Sequence, residues 1–376
     1  MKKSAIFIIL AMPAIAGTAC DREPVPAARI SVEFSARASG TKGAPQLTTV
    51  ERLAAQHFSV SAWYTPEGEV FGAGSRPYIR NHRFGLSGDT WHGMTATGAP
   101  DPVYYPLDGT LSYFCYAPYR EDTGPDSDIC LTVNPETSLT DRLDHYLPGS
   151  PLICFTPGTT PATQIDFIAA APLLDVNRHA GRLVLDFTRH LTTDIQFWCK
   201  YEGALNAEEG VTVTRISIRD VIGSEYLYFT ENDGIPGQAW CSVISPLDGS
   251  GDMPVASYTL STQALDLITG DNYLDGAEAM WLNNTINGRL YLLPQTLPEG
   301  AFLDITYVVK NRGSDARLDE NVVSLPLTGT PDWPVGKTVR YTITVPVADR
   351  KEARLAVSIL DWTDAGNTHA SQELMY

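Results

Sequence analysis

The chain has 376 residues, which is enough for two domains of ordinary size and too many for one small sandwich. Its 27 Lys and Arg residues against 44 Asp and Glu residues give a formal net charge of −17, which argues against nucleic acid as a partner. With 43% hydrophobic and only 19% charged residues, the composition indicates a folded protein and excludes a largely disordered one.

The first residues, 1–19, have the organisation of a secretory signal peptide. Two lysines precede an apolar run over 5–16, which is too short to span about 30 Å of hydrocarbon as a helix. The small residues before Cys20 resemble the bacterial lipobox, with Gly17 where Leu is usual, and this resemblance implies a lipid on Cys20. A plain secretory signal with an incidental cysteine is the alternative. Residues 20–28 are predicted to form a polar, proline-bearing tether behind the anchor.

The remaining cysteines do not define a site. Their number is odd, none shows the C-x2-C spacing of a zinc site, and the sequence assigns no disulfide pair, although an exported protein permits disulfides. They are Cys115, Cys130, Cys154, Cys199 and Cys241.

Beyond the tether, apolar and polar residues alternate in the way that is typical of β-strands. The clearest examples are residues 58–62, 183–187, 303–309 and 339–345. Within 211–218 the alternation slips by one residue, which predicts a β-bulge or a bend. Residues 49–58 and 259–268 are at most short helical turns. Many short strands separated by Gly, Pro and Asp turns predict β-sandwiches.

A polar stretch around Asp175–Gly181 separates two halves that are both rich in predicted strands. We therefore predict an all-β protein with two tandem β-sandwich domains. The N-terminal domain covers residues 29–177 and the C-terminal domain covers residues 178–376.

No catalytic or cofactor-binding motif stands out. There is no H-E-x-x-H, no G-x-S-x-G and no P-loop, and Gly72–Gly74 lacks the third glycine of a dinucleotide loop. His190 follows a predicted strand and is interpreted as structural. The acidic stretch 121–128 could offer oxygen ligands to calcium but lacks the spacing of a known calcium loop, so it is interpreted as solvated. We predict no enzyme activity, no cofactor and no metal site.

Five segments, taken together and in order, resemble the fimbrillin family of Bacteroidales lipoproteins. They are Tyr104–Pro118, Asp166–Ala170, Leu183–Leu191, Leu292–Leu297 and Trp333–Ile343. The first resembles the family's aromatic-Pro-x-x-Gly-x-Leu-x-Phe-x-Ala-Tyr-Ala-Pro stretch, with Cys115 in place of Ala. The third carries an extra residue before His190. Each segment is weak alone, but their order behind a lipobox-like signal is specific.

The resemblance implies two transthyretin-like Greek-key β-sandwich domains in a subunit of a surface fimbrium or a related adhesin. In that family, the lipid carries the precursor to the outer membrane, and a trypsin-like or arginine-specific protease cuts after the first strand. The removed strand leaves an apolar groove that a strand of another subunit fills, because an unpaired edge offers free N–H and C=O groups. Such head-to-tail contacts do not close and therefore grow filaments.

Mapped onto this sequence, the resemblance implies that residues 30–34 form the removable first strand. The bond between Arg37 and Ala38 then follows in a small-residue, flexible setting that a protease can enter. An ordinary surface role for Arg37 is an equally weighted alternative. Arg29 and Lys42 are less suitable, since one precedes the strand and the other lies beyond its turn.

The last apolar run, Leu355–Trp362, is the candidate donor strand, and a permanent strand of the second sandwich is the equally weighted alternative. The residues that would enter another subunit's groove are Val357, Ile359 and Trp362. The implied partners are other fimbrillin subunits and the outer membrane, with a host or bacterial surface glycan or protein as a further candidate.

Two other functions compete with a polymerising fimbrial subunit. A non-polymerising tip or accessory adhesin, or a surface glycan-binding lipoprotein, would keep its lipid and would have a tightly paired C-terminal strand. An enzyme such as a glycosidase would need a pair of carboxylates, and no spacing in the sequence marks one.

Overall fold

The computed structural model describes residues 29–38, 50–124, 126–160, 163–241, 254–261, 265, 273–284, 288–313, 317–347, 352–362 and 374–375. Strands account for nearly all of the regular structure in this part of the chain, which confirms the prediction of an all-β protein. Two short helices are also present, α1 (Val50–Gln56) and α2 (Thr137–Thr140). Cys20, the signal peptide and the tether lie outside the described residues.

The first ten strands form the N-terminal part of the structure. They are β1 (Phe34–Ala38), β2 (Phe58–Thr65), β3 (Arg76–Ser87), β4 (Thr90–Gly93), β5 (Thr110–Ala117), β6 (Ile129–Thr132), β7 (Leu152–Phe155), β8 (Ile168–Ala169), β9 (Leu173–Val176) and β10 (Leu183–Phe187).

Twelve further strands follow. They are β11 (Thr193–Glu202), β12 (Glu209–Ile222), β13 (Glu225–Asn232), β14 (Ile235–Cys241), β15 (Val255–Ser261), β16 (Met280–Trp281), β17 (Leu290–Leu292), β18 (Phe302–Asn311), β19 (Arg317–Pro326), β20 (Lys337–Pro346), β21 (Arg354–Asp361) and β22 (Leu374–Met375).

These strands form four sheets. The first sheet has the order β10-β1-β4-β3-β2-β5-β8, with β9 also paired to β5, and the second has the order β14-β13-β7-β6. The third sheet runs β16-β11-β20-β21-β22 with β17 also on β11, and the fourth runs β15-β12-β18-β19. A bridge between Ile168 and His190 brings the two ends of the first sheet together, so this sheet curls around its own core.

Alternation in the sequence explains which side chains enter which core. In β2, Phe58, Val60 and Ala62 point into the curled first sheet, whereas Trp63 faces the second sheet. The polar residues of β2 are used as well, since the Ser59 hydroxyl donates a hydrogen bond to Asn81 Oδ1 at 2.6 Å. The two faces of β2 therefore contribute side chains to two different apolar cores.

The C-terminal core lies between the third and fourth sheets. It collects apolar side chains from β11 and β20 on one side and from β12, β15 and β18 on the other. The predicted irregularity within 211–218 is confirmed, because the β12–β18 register shifts between Val213 and Arg215. Residues 259–261 belong to β15 and not to a helical turn; Tyr258 and Leu260 alternate into the core and fix an extended strand.

The pairing of strands does not follow the predicted boundary between residues 177 and 178. β10 pairs in parallel with β1, and β13 pairs with β7, so strands from the second half complete both sheets of the first half. The polar stretch around Asp175–Gly181 runs from the end of β9, which pairs with β5, towards β10, which pairs with β1, and this explains why its composition resembles a linker.

The segment that leads into β1 is held by its apolar side chains, which gives a direct test of its packing. Val32 is 1% exposed, whereas Val184 on the neighbouring β10 is 45% exposed. We expect Val32→Ala to lower the free energy of unfolding by about 2 kcal/mol. Val184→Ala should lower it by less than about 1 kcal/mol. Urea unfolding followed by tryptophan fluorescence measures both, and equal losses would contradict a buried first segment.

Candidate strand-exchange groove and terminal strands

The first strand lies inside the first sheet and not at its edge. β1 pairs in parallel with β10 over all five of its residues, from Phe34 opposite Leu183 to Ala38 opposite Phe187. On its other side, β1 makes a single antiparallel pair with β4, between Phe34 and Trp91. The strand is therefore held by one long ladder and one contact.

Phe34 is the anchor of this strand. Its side chain is fully buried and meets three rings edge-on. The centroid distances are 6.1 Å to Phe58, 5.2 Å to Phe84 and 5.4 Å to Tyr113. Edge-to-face contacts of this kind add about 0.5–1.5 kcal/mol each beyond the burial of area. Without β1, these rings would line an open apolar groove between β4 and β10.

Arg37 lies within β1, opposite Asp186 of β10, and its side chain is exposed. The strand thus runs four residues further than the predicted span of 30–34, and the Arg37–Ala38 bond is part of the ladder. Ser35, Ala36 and Ala38, small residues that suggested a flexible segment, instead pair with β10. A protease needs local opening of the strand before it can reach this bond.

The candidate donor strand, β21, is paired along its whole length. β21 runs antiparallel to β20 in continuous register from Lys337 opposite Asp361 to Thr344 opposite Arg354. Val357 is 1% exposed and belongs to the C-terminal core, whereas Ile359 is 44% exposed. β1 and β21 therefore lie in different sheets.

Trp362 fastens the end of β21 to a part of the chain far away in sequence. Its ring stacks on His190 at 4.0 Å with 12° between the planes, and on Tyr291 at 5.6 Å. His190 Nδ1 lies 2.9 Å from Asp166 Oδ2, and both side chains of this pair are buried. The cluster of Asp166, His190, Tyr291 and Trp362 joins the curled first sheet to the third sheet.

A second polar cluster covers the outer face of the third sheet. Trp198 and Trp281 stack at 5.7 Å, with the Arg340 guanidinium 4.4 Å from the Trp198 ring and that of Arg289 4.7 Å from the Trp281 ring. Arg289 also lies 3.3 Å from the buried carboxylate of Asp194. The sequence pattern did not reveal this cluster, because its members come from four separate strands and loops.

No disulfide joins the five cysteines of the described residues. Cys130 and Cys154 face each other across the β6–β7 ladder, and Cys115, Cys199 and Cys241 are buried. Burial raises the pKa of the Cys115 and Cys199 thiols, so both behave as small apolar side chains.

The described residues include no group of three or more His, Cys, Asp or Glu side chains placed to hold a metal. Within the acidic stretch 121–128, Asp128 forms an ion pair with Arg120 at 3.0 Å. No helix in the described part of the chain is long and apolar enough to cross a membrane.

A family model described as fimbrillin-like matches residues 48–362, which is most of the chain. The chain belongs to the fimbrillin-like family. This confirms the resemblance read from the five sequence segments. No curated protein matches the sequence.

The fold of this fimbrillin-like protein is similar to that of a solved fimbrial protein. A fimbrial protein from Bacteroides vulgatus has a TM-score of 0.61 at 19% identity, with 89% of this chain and 100% of that chain covered. A proposed cell adhesion protein from Bacteroides uniformis has a TM-score of 0.48 at 14% identity, with 89% and 99% covered.

The five family-like segments now have structural roles in the fimbrillin-like fold. Tyr104–Pro118 contains β5, which is buried on both faces, and Asp166–Ala170 and Leu183–Leu191 supply the Asp166–His190 pair. Gln295, in the Leu292–Leu297 segment, is buried and accepts a hydrogen bond from the backbone N–H of Ile222 at 2.7 Å.

The Asp166–His190 pair can be tested with two histidine variants. We expect His190→Ala to lower the free energy of unfolding by about 3 kcal/mol, because it leaves a buried carboxyl without its partner and removes the stack under Trp362. His179→Ala, at an exposed histidine, should change it by less than about 0.5 kcal/mol. Urea unfolding measures both. Limited proteolysis should release the C-terminal strand faster only from His190→Ala, and similar behaviour of the two variants would show that the cluster does not hold β21.

Proposed function

We propose that this protein is a lipid-anchored, surface-exposed subunit of a fimbrium, which assembles by strand exchange after proteolysis. Membership of the fimbrillin-like family supports a place at the cell surface. The lipid would sit on Cys20, and processing would occur between Arg37 and Ala38. Other subunits of the same family would be its partners.

The observation that carries this proposal is the setting of β1. β1 is the first strand of the described residues and lies between β10 and β4. Its Phe34 side chain packs among three aromatic rings. Its removal would free the ladder edge of β10 and uncover an apolar groove. A strand from another subunit could then pair with β10 and place its own side chain in the Phe34 position.

The position of Arg37 suggests how the timing of assembly is controlled. The Arg37 side chain is exposed, but its peptide bond is held in the β1–β10 ladder. Cleavage would therefore wait for opening of the strand. After cleavage, the segment with Val32 and Phe34 would be held only by non-covalent contacts and could be exchanged.

The length of the tether determines where cleavage after Arg37 would happen. Arg29 lies nine positions after Cys20, a stretch that reaches at most about 30 Å when fully extended. A lipid on Cys20 would therefore keep the uncut precursor close to the outer membrane, and cleavage after Arg37 would separate the folded body from its anchor.

The firm pairing of β21 favours a second function, in which the protein does not polymerise. Two of the candidate donor residues, Val357 and Ile359, belong to β21, which pairs along its length with β20, and Trp362 directly follows this strand and stacks on His190. To serve as a donor, β21 would have to leave this ladder and the stack on His190. A non-polymerising tip or accessory adhesin, or a surface glycan-binding lipoprotein, needs no such release.

Cleavage at Arg37 can be tested on the purified precursor with a trypsin-like protease. We expect the unsubstituted protein to yield a fragment that starts at Ala38, identified by mass spectrometry, and filaments in negative-stain images. Arg37→Ala should remain uncut at this bond and form no filaments, while Arg29→Ala, which changes an exposed arginine before the strand, should behave like the parent. Normal filaments from Arg37→Ala would place the processing site elsewhere, and absence of filaments from every cleaved form would favour the adhesin.

The role of β21 can be tested by locking it to β20. Thr342 and Ala356 are direct register partners, and facing residues on antiparallel strands lie within the Cα separation that a disulfide accepts. If β21 is the donor, oxidised Thr342→Cys/Ala356→Cys protein should be cleaved but form no filaments, and reduction should restore them. The two single variants control for the native cysteines. Filaments of normal length from the oxidised protein would rule out β21 as the donor.

A further inference from the structure

Cys130 and Cys154 are the one directly facing pair among the cysteines of the described residues. Cys130 is the second residue of β6, Cys154 is the third residue of β7, and the antiparallel ladder places them opposite each other. Both side chains are half-buried, so a small reagent can reach them without global unfolding of the protein. The two thiols are therefore close to each other and accessible.

The hydrogen bonds of the ladder determine how far apart the two backbones lie. Two positions beyond the cysteines, the N–H of Thr156 donates to the carbonyl of Asp128 at 2.9 Å, which makes these two residues a hydrogen-bonded pair. Such pairs recur at every second position of an antiparallel ladder, so Cys130 and Cys154 form one as well. Their Cα atoms are then about 5.5 Å apart, within the usual range for a disulfide.

The remaining cysteines of the described residues do not compete for these two thiols. Cys241 lies in the same row of the second sheet, but Tyr226 of β13 lies between it and Cys154. Two strand spacings amount to about 9–10 Å, which is beyond the Cα separation that a disulfide spans. Cys115 and Cys199 are buried in two other cores.

The surroundings of the two thiols keep them protonated. The Sγ atom of Cys154 lies 3.1 Å from the hydroxyl oxygen of Ser224. Burial raises the pKa of both thiols, and the Asp122 carboxylate adds to this effect at Cys130. The buried carboxyl of Glu225 points to the other face of the second sheet, because Glu225 pairs with the residue after Cys154. Both cysteines therefore react slowly near pH 7 and faster at higher pH.

We propose that Cys130 and Cys154 become joined by a disulfide in oxidising surroundings, and that this bond fastens the edge strand β6 to β7. Within the described part of the chain, β6 has four residues and pairs with β7 alone. If so short a strand came away, it would leave the edge of β7 open to pairing with other chains. The signal peptide predicted from the sequence would bring the protein to a compartment where disulfides persist. The inference holds whether or not β1 is exchanged.

The bond forms by two exchange reactions with a small-molecule or protein disulfide. The thiolate of Cys130, on the edge strand, attacks one sulfur of the reagent, so that the reagent's S–S bond breaks, a mixed disulfide forms and one thiolate leaves. The thiolate of Cys154 then attacks Cys130 Sγ and displaces the second thiolate. The two leaving thiolates take up the two protons that the cysteines lost. The protein is oxidised by two electrons and the reagent is reduced by two.

Closure of this bond requires a small local movement of the two strands. Facing Cβ atoms of an antiparallel pair lie about 4.5–5.5 Å apart, whereas a relaxed disulfide holds them at about 3.8 Å. The bond must therefore draw β6 and β7 together at Cys130 and Cys154. Such a disulfide is more easily reduced than a relaxed one.

The linkage can be detected in the parent protein by peptide mapping. Trypsin cuts after Arg142, so Cys130 and Cys154 fall in the separate peptides 121–142 and 143–178. The folded protein is incubated with oxidised glutathione at about pH 8, its free thiols are alkylated, and it is then unfolded and digested without a reductant. Mass spectrometry should show the two peptides joined, with the loss of two hydrogen atoms, and dithiothreitol should separate them.

Three serine variants make the assignment specific. Cys130→Ser and Cys154→Ser should each lack the joined peptides, whereas Cys241→Ser, which removes the other cysteine of the same row, should form them like the parent. A glutathione group that stays on Cys130 while Cys154 remains free would overturn the proposal. Linkage of either residue to a different cysteine would also overturn it.

Hydrogen exchange tests whether the bond fastens the edge strand. The amide hydrogens in the β6–β7 ladder should exchange about tenfold more slowly in the oxidised parent than in the reduced parent, because opening of β6 becomes rarer. Amide hydrogens in the β20–β21 ladder, which belongs to another sheet, should exchange at the same rate in both forms. Equal rates in the β6–β7 ladder would show that the disulfide does not stabilise this edge.

Discussion

The parallel pairing of β1 with β10 is the constraint on which the N-terminal part of the structure depends. It joins residues near the start of the chain to residues almost 150 positions later, and it places Phe34 at the centre of an aromatic core. Because β10 also leads into the Ile168–His190 bridge, the same ladder positions both ends of the curled sheet. Strands from the second half of the chain therefore complete sheets of the first half.

Local patterns predicted the strands well where one face is buried and the other is polar. β10 follows the alternation of its residues closely, and the bulge in β12 was visible as a slip in phase. β1 was placed too early because Ser35, Ala36 and Ala38 carry little hydrophobic signal. Its partner could not be inferred at all, since parallel pairing across such a separation leaves no local trace in the sequence.

For the candidate functional residues as well, the sequence and the fold reveal different things. Resemblance to the family directed attention to Arg37 and Trp362, but only the fold shows that one lies in a ladder and the other in an aromatic stack. Glu225 resembles any surface glutamate in the sequence. Its burial without a hydrogen-bond partner depends on strands that meet only in three dimensions.

The direction of β1 also has a mechanical consequence. In a parallel pair, a pull on the N-terminal end of β1 and an opposite pull on the chain leaving β10 act along the strand axes. The load is then shared by all the bonds of the ladder at once, whereas a hairpin pulled at its open end loses its bonds one after another. A protein tethered at its N-terminus in flowing liquid would thus resist unfolding through this ladder.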